Sequence, residues 1–277
     1  MIDAVLSYHL NPLTCGVAKF NQQLARRLGV PCLPLDAAPS HPLVSIKFSE
    51  MEFPLALGEW HRNTFDLLLH DRQCRPDAGI ISRAQRVFYA DEIGCPSTLD
   101  GNPNRGLLNV LLFGMAHKLN GQTVYLDRVR DLLDQSRVDY AVSVSTAVHE
   151  GTPWDGAFTT TVETLRHVFG PRLRVLGYLA DDALARELQT CQAVALFFDP
   201  AARANNTTIW AALEAGCPLI TNLDCDSPAE LIHNETMFDL ARLTDWPHYR
   251  LRDDVAKRGK VQAKGRSWDQ LLEILRA

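Results

Sequence analysis

The chain has 277 residues, 46% hydrophobic and 22% charged, which is enough apolar material for full cores and enough length for two ordinary domains. Its formal net charge of −5 supplies no global field that would attract nucleic acid. Seven cysteines, at 15, 32, 74, 95, 191, 217 and 225, form no Cys-x-x-Cys pair and no Cys/His cluster, so they read as small buried hydrophobes in a reducing compartment and offer no metal site. No basic segment precedes the apolar stretch from Ile2 to Tyr8, and no apolar run approaches the roughly 18 residues of a membrane span. A cytoplasmic protein without signal peptide or span is expected.

Strands and helices alternate along the chain. The first strand is IDAVLSYH, followed by a helix whose apolar positions Val17, Phe20, Leu24 and Leu28 recur at three- to four-residue spacing. Gly29 stops that helix, and Pro31 and Pro34 forbid its continuation. Residues 36–60 are proline-rich and fit no single element. FDLLLHD (65–71) and AQRVFYADE (84–92) read as buried strands ending in polar residues, which puts His70, Asp71, Asp91 and Glu92 at the carboxyl edge of a sheet. Residues 95–106, with two prolines, two glycines and two asparagines, form the clearest linker.

After the linker the same grammar restarts. LLNVLLFGM (107–115) is a strand, 123–136 an amphipathic helix, 139–147 a strand, 159–170 a helix and 173–179 a strand. The helix 180–191 carries Asp181 and Asp182 in its first turn, favourable toward the helix dipole. AVALFFDP is a strand, then a polar loop ending Asn205-Asn206-Thr207-Thr208 opens a helix stopped by Gly216, and PLITN (218–222) is the last strand legible. The tail, from Gly265, ends in an amphipathic helix. Repeated βα units with apolar strands predict parallel sheets covered on both faces. The boundaries read from this pattern are an N-terminal Rossmann-like domain over 1–106, a second over 107–264, and a helix at 265–277 that returns to the first.

Several segments carry a family resemblance, densest from about 107 to 235. The strand followed by FGMAHKLNG (113–121) is similar to a strand, Gly, short loop and Lys-Gly pattern, and GYLADDALARELQTCQAVALFFDP to a glycine turn before an acidic helix start. Ala215-Gly216-Cys217-Pro218-Leu219-Ile220 resembles a small-Gly-x-Pro-Val-Ile motif. Thr14-Cys15-Gly16-Val17-Ala18 resembles the glycine loop opening a first-domain helix, and Ser267-Trp268 a terminal crossover. Together these resemble the GT-B glycosyltransferases, most closely the GT4-like branch, in a compact form with degenerate donor-site glutamates. The resemblance implies an α/β fold of two Rossmann-like parallel-sheet domains facing across a cleft. It also implies transfer of a sugar from a nucleotide diphosphate donor (UDP-, GDP- or ADP-sugar) to a glycan or small-molecule hydroxyl, with retention and without metal or other cofactor.

The chain departs from the family pattern at the donor loop. The two family glutamates, eight positions apart, fall on Arg203 and Ala211 when aligned on Gly216, and Glu214 lies one helical turn beyond Ala211. The arginine that often precedes the family lysine is replaced by Met115-Ala116-His117. Asp224-Cys225-Asp226 has the spacing of a metal-binding Asp-x-Asp motif but follows the last strand, outside the donor motif.

Candidate site residues follow from charge. A departing diphosphate needs donors already in position. Asn205, Asn206, Thr207 and Thr208 at a helix start offer backbone N–H groups, an amide and hydroxyls; a plain N-cap is the alternative. By resemblance, Lys118 is a phosphate cation, His149 and Gly177 lie along the donor cleft, and Glu214 touches the ribose. Gly16 lets first-domain backbone approach the phosphate, or simply makes a tight turn. Arg203 is either a bidentate phosphate clamp or a surface residue. His70 matches a histidine near the reacting sugar, where it hydrogen-bonds or moves a proton, or else it is structural. Asp91 and Glu92 are acceptor-side base candidates, or caps of the following loop. A rival reading keeps the fold as a non-catalytic module binding a nucleotide, a glycan or a partner protein.

Overall fold

In a computed structural model of the chain, residues 2–12, 15–47, 62–71, 78–93, 108–115, 119, 122–147 and 154–276 are described. The chain divides into two compact units, Met1–Thr98 with Trp268–Ala277, and Leu99–Ser267.

The first unit contains strands β1 (Ala4–Ser7), β2 (Cys32–Pro34), β3 (Pro42–Ile46), β4 (Asp66–Leu69) and β5 (Arg86–Tyr89). All pair in parallel, in the order β2-β1-β3-β4-β5. Successive strand residues point to opposite faces. Val5, Leu43 and Leu68 therefore join Phe20 and Leu24 of helix α1 (Gly16–Leu28) on one side, while Leu6, Val44, Leu67 and Leu69 meet Phe65 and Ile80 on the other. Each such side chain contributes about 1.5–3 kcal/mol by leaving water. Helix α1 closes at Gly29, whose φ of 74° lets Val30 N–H return to the Ala25 carbonyl at 3.0 Å.

Strand β3 lies inside the 36–60 stretch that fits no single element, and β2 just before it, between the prolines that end α1. Pro34 is the last residue of an edge strand and Pro42 the first residue of its own, positions where a missing N–H breaks no essential ladder bond. Strand β5 ends at Tyr89, and Ala90–Ile93 turns into a short helix, which shortens the strand expected over 84–92.

The C-terminal helix, Trp268–Arg276, packs into this first unit. Trp268 stacks on Phe20 at 5.3 Å and carries the Arg27 guanidinium over its ring at 4.8 Å. Arg86 holds the helix end from the sheet: its guanidinium forks the fully buried Asp66 at 3.1 and 2.7 Å and donates to the Leu275 carbonyl at 3.2 Å.

The second unit contains β6 (Leu108–Met115), β7 (Tyr140–Ala147), β8 (Leu173–Gly177), β9 (Ala193–Ala195), β10 (Leu219–Thr221) and β11 (Phe238–Asp239). Its strands run parallel in the order β11-β10-β9-β6-β7-β8. One face packs helices Thr123–Gln135 and Trp154–Phe169 through Leu126, Val129, Leu132 and Leu165. The other packs Asp181–Thr190 and Thr207–Glu214 through Leu184, Leu188, Ile209 and Leu213. A last helix, Tyr249–Ala263, crosses Thr207–Glu214 so closely that a Cβ on Gly259 would sit 2.8 Å from Leu213 Cδ2 of that helix, and 2.6 Å from the Thr236 carbonyl oxygen. The strand expected over AVALFFDP ends at Ala195, and β11 adds a two-residue rung beyond the last strand expected. Among the described residues no helix is long and apolar enough to cross a membrane.

Candidate active site

In open parallel sheets, ligands bind outside the carboxyl ends of strands where the winding direction reverses. In the second unit that reversal lies between β6 and β9: the chain proceeds outward from β6 to β8 on one side and from β9 to β11 on the other. Strand β6 ends at Met115, three residues before Lys118, which lies outside the described residues, as do His149 and Glu150 beyond β7. From β9 the chain leaves the ladder and reaches the Asn/Thr helix start.

Asn222, at the end of β10, builds that departure. Its Oδ1 accepts from Phe198 N–H at 3.0 Å, and its Nδ2 donates to the Phe198 and Pro200 carbonyls at 2.8 and 3.0 Å. Its own carbonyl accepts from Ala202 N–H at 3.0 Å. The Asp199–Pro200 peptide within this loop is cis. Further along, the buried Trp210 donates its indole N–H to the Ala204 carbonyl at 2.7 Å, pinning the loop to the helix it opens.

Asn206 turns its side chain away from the helix. Its Oδ1 accepts from Arg203 N–H at 2.6 Å, closing the loop on itself, and it makes no side-chain cap to Thr207–Glu214. The first turn, with half-buried Thr207 and Thr208, therefore lacks a side-chain cap from Asn206, while Ile209 N–H turns back to the Asn206 carbonyl at 3.0 Å. Glu214 ends the same helix, about 10 Å along its axis from Thr207. Gly177 closes β8 with φ of 70°, a left-handed geometry that favours glycine.

Arg203 is engaged. Its guanidinium forks the Asp224 carboxylate at 2.8 and 2.7 Å, with a third bond to the Ala202 carbonyl at 2.9 Å. The Asp224 hydrogen bond raises the guanidinium pKa above its ordinary value, and Arg203 in turn holds the Asp224 carboxyl below the usual carboxylate range. A phosphate reaching Arg203 would have to compete with Asp224. That pairing also occupies the first aspartate of the Asp-x-Asp spacing. Among the described residues no His/Cys/Asp/Glu group gathers as metal ligands do.

The first unit has its own reversal, between β1 and β3. There a crevice of about 10 Å³, room for about one water, is lined by Tyr8, His9, Cys15, Val17, Ser45, Ile46 and Lys47. Gly16 begins α1 beside it, with no atom within 4 Å of where a Cβ would stand among the described residues. His70 follows β4 and is 6% exposed, its ring edge-on to Phe20 at 5.3 Å. Beneath it runs a buried polar chain. His70 Nε2 lies 3.0 Å from Ser45 Oγ, Ser45 Oγ 2.6 Å from Asn21 Oδ1, and Asn21 Nδ2 2.8 Å from Ser7 Oγ and 3.0 Å from the Ser45 carbonyl. Glu92 is exposed in the short helix after β5; the neighbouring Asp91 side chain lies outside the described ones.

No protein-family model and no curated protein matches the sequence. Solved structures do. Sucrose-phosphate synthase from Thermosynechococcus elongatus matches at TM-score 0.65 and 11% identity, over 100% of this chain and 98% of that one. HepE of Anabaena, in complex with UDP and glucose, matches at TM-score 0.62 and 9% identity over 100% of both chains. TarM matches at TM-score 0.54 and 8% identity over 84% of this chain, which spans 54% of TarM. The fold is that of the GT-B glycosyltransferases.

On this GT-B fold, the structure collects Arg203, Asn205, Asn206, Thr207 and Thr208 on one loop at the second unit's reversal point, and Gly16 and His70 at the carboxyl edge of the first. Sequence reading missed the residues that hold these groups. Asn21 carried a signal: it lies on the stripe of Val17, Leu24 and Leu28, a polar residue on an apolar helix face. Ser45 and Asn222 are ordinary polar residues at strand ends and carried none.

Proposed function

We propose that the chain is a glycosyltransferase that moves a sugar from a nucleotide diphosphate to an acceptor hydroxyl, with retention at the anomeric carbon and without a metal ion. The observation that carries this reading is the helix start at Thr207, without a side-chain cap, at the winding reversal of the second unit and beside the strand that leads to Lys118. The donor's bond from anomeric carbon to diphosphate oxygen breaks and one to the acceptor oxygen forms. The helix N–H groups and Lys118 meet the charge left on the diphosphate. His70 serves the sugar, and Gly16 the phosphate, from the first unit, which takes the acceptor side together with Asp91 and Glu92. Glu214, Gly177 and His149 complete the donor side.

Calorimetry with UDP, GDP and ADP tests it. One of the three binds, and Lys118→Ala weakens that binding by about 1.5–3 kcal/mol, roughly 10- to 150-fold. Unchanged affinity in a folded variant removes Lys118 from the site, and a chain that binds none of the three is no such transferase.

The second reading, a non-catalytic GT-B relative that binds a nucleotide, glycan or partner protein, is favoured by the Arg203–Asp224 pair and by Ala211 at a family glutamate position. Slow release of free sugar from the donor without acceptor separates the two: a transferase hydrolyses donor, a binding module does not.

A further inference from the structure

The buried chain beneath His70 has a direction, and that direction can be read from chemistry alone. Asn21 places one amide atom 3.0 Å from the Ser45 main-chain carbonyl, which can only accept, so that atom is Nδ2. The same Nδ2 reaches Ser7 Oγ, whose own proton goes to the His9 carbonyl at 2.6 Å; both ends therefore agree on the orientation of the amide. The other amide atom is then Oδ1, an acceptor, and at 2.6 Å it takes the one proton of the Ser45 hydroxyl. Ser45 Oγ is left with lone pairs alone toward His70 Nε2 at 3.0 Å.

We infer that Asn21 and Ser45 are positioning residues that fix neutral His70 as its Nε2–H tautomer, making Nδ1 the nitrogen that accepts hydrogen bonds and protons. All members of the chain are buried, with Ser7 1%, Asn21 0%, Ser45 0% and His70 6% exposed, so water competes little for these bonds. Phe20, stacked on Trp268 and edge-on to His70, holds the ring plane while Ser45 selects the tautomer. The consequence for turnover rests on His70 belonging to the proposed transferase site: the wiring sets which ring nitrogen carries the proton when the neutral imidazole meets substrate.

The test is a long-range ¹H–¹⁵N correlation spectrum of the full chain at a pH where His70 is neutral. The expected wild-type pattern is protonated Nε2 and lone-pair Nδ1. Asn21→Ala frees the Ser45 hydroxyl to donate to Nε2, so the Nδ1–H tautomer grows; Ser45→Ala removes the preference, and Ser45→Thr keeps it. A wild-type Nδ1–H tautomer overturns the inference, and needs no variant to fold. So does a folded Asn21→Ala that leaves the tautomer unchanged. If donor hydrolysis is present, Ser45→Ala lowers kcat on the order of tenfold to a hundredfold with KM little changed, and Ser45→Thr restores it. The expected tautomers in a chain that binds no nucleotide uphold the wiring and remove the transferase reading instead.

Discussion

The two units use the same kind of sheet and each sets a forked Arg–Asp pair at an opposite end of it. In the first, the buried ion pair Asp66–Arg86 sits at the start of β4, the amino edge, where it ties the sheet to the C-terminal helix. In the second, the Arg203–Asp224 pair lies past the carboxyl edge, on the loops that carry the candidate donor site. The carboxyl edge of the first unit holds a hydrogen-bonded relay of serine, asparagine and histidine. A pair at an amino edge serves stability; one at a carboxyl edge takes part in, or competes with, ligand binding.

The largest effect should come from breaking the amino-edge pair asymmetrically. Arg86→Ala leaves the Asp66 carboxylate, fully buried, with only His41 at 3.4 Å as an ion-pair partner among the described residues, and is expected to cost about 3 kcal/mol in urea unfolding. Asp66→Ala leaves a guanidinium that is 35% exposed and can turn to water, so it costs less. Equal losses would mean that the pair's burial does not govern its energetics.

The matching change at the opposite edge is Asn222→Ala. It strips the Phe198 N–H and the Phe198 and Pro200 carbonyls of their partners and is expected to cost about 2 kcal/mol. Because those bonds shape the segment leading to Thr207, nucleotide affinity should fall with stability, whereas Arg86→Ala should leave affinity unchanged in the folded fraction. Calorimetry on both variants checks the division. An Asn222→Ala protein with intact affinity would separate the loop from the site.

How much of this was open to sequence reading follows from where each bond partner lies. Leu67-Leu68-Leu69 and Val110 to Phe113 announce strands buried on both faces, so the parallel α/β class was legible. Strand β9 was read too long because Phe197-Phe198 is as apolar as a strand; Asn222, 24 residues on from Phe198, takes the main-chain bonds a ladder would have used. The candidate loop was visible as a polar helix opening, but the state of Arg203 depended on Asp224, 21 residues away on another loop. His70 stood out at a strand end. Its wiring ran through Ser45, inside the proline-rich stretch whose strand could not be assigned.

The smallest effect, and the one that speaks most directly to Arg203, is titration of its partner. Arg203 holds the folded-state pKa of Asp224 below its unfolded value, so the pair's stabilisation is fully present above the ordinary carboxylate range. It is lost as pH falls through the lowered folded pKa. With side chains 18% and 31% exposed, the pair is worth about 1 kcal/mol or less. Wild type should therefore melt slightly above Asp224→Asn at neutral pH, and the gap should close on acidification. The same variant frees the guanidinium from its closest carboxylate, leaving the Ala202 carbonyl at 2.9 Å and the exposed Asp226 at 4.0 Å. If Arg203 can serve a phosphate, Asp224→Asn tightens nucleotide diphosphate binding while leaving the nucleoside's affinity unchanged; if the arginine only ties two loops together, neither affinity rises.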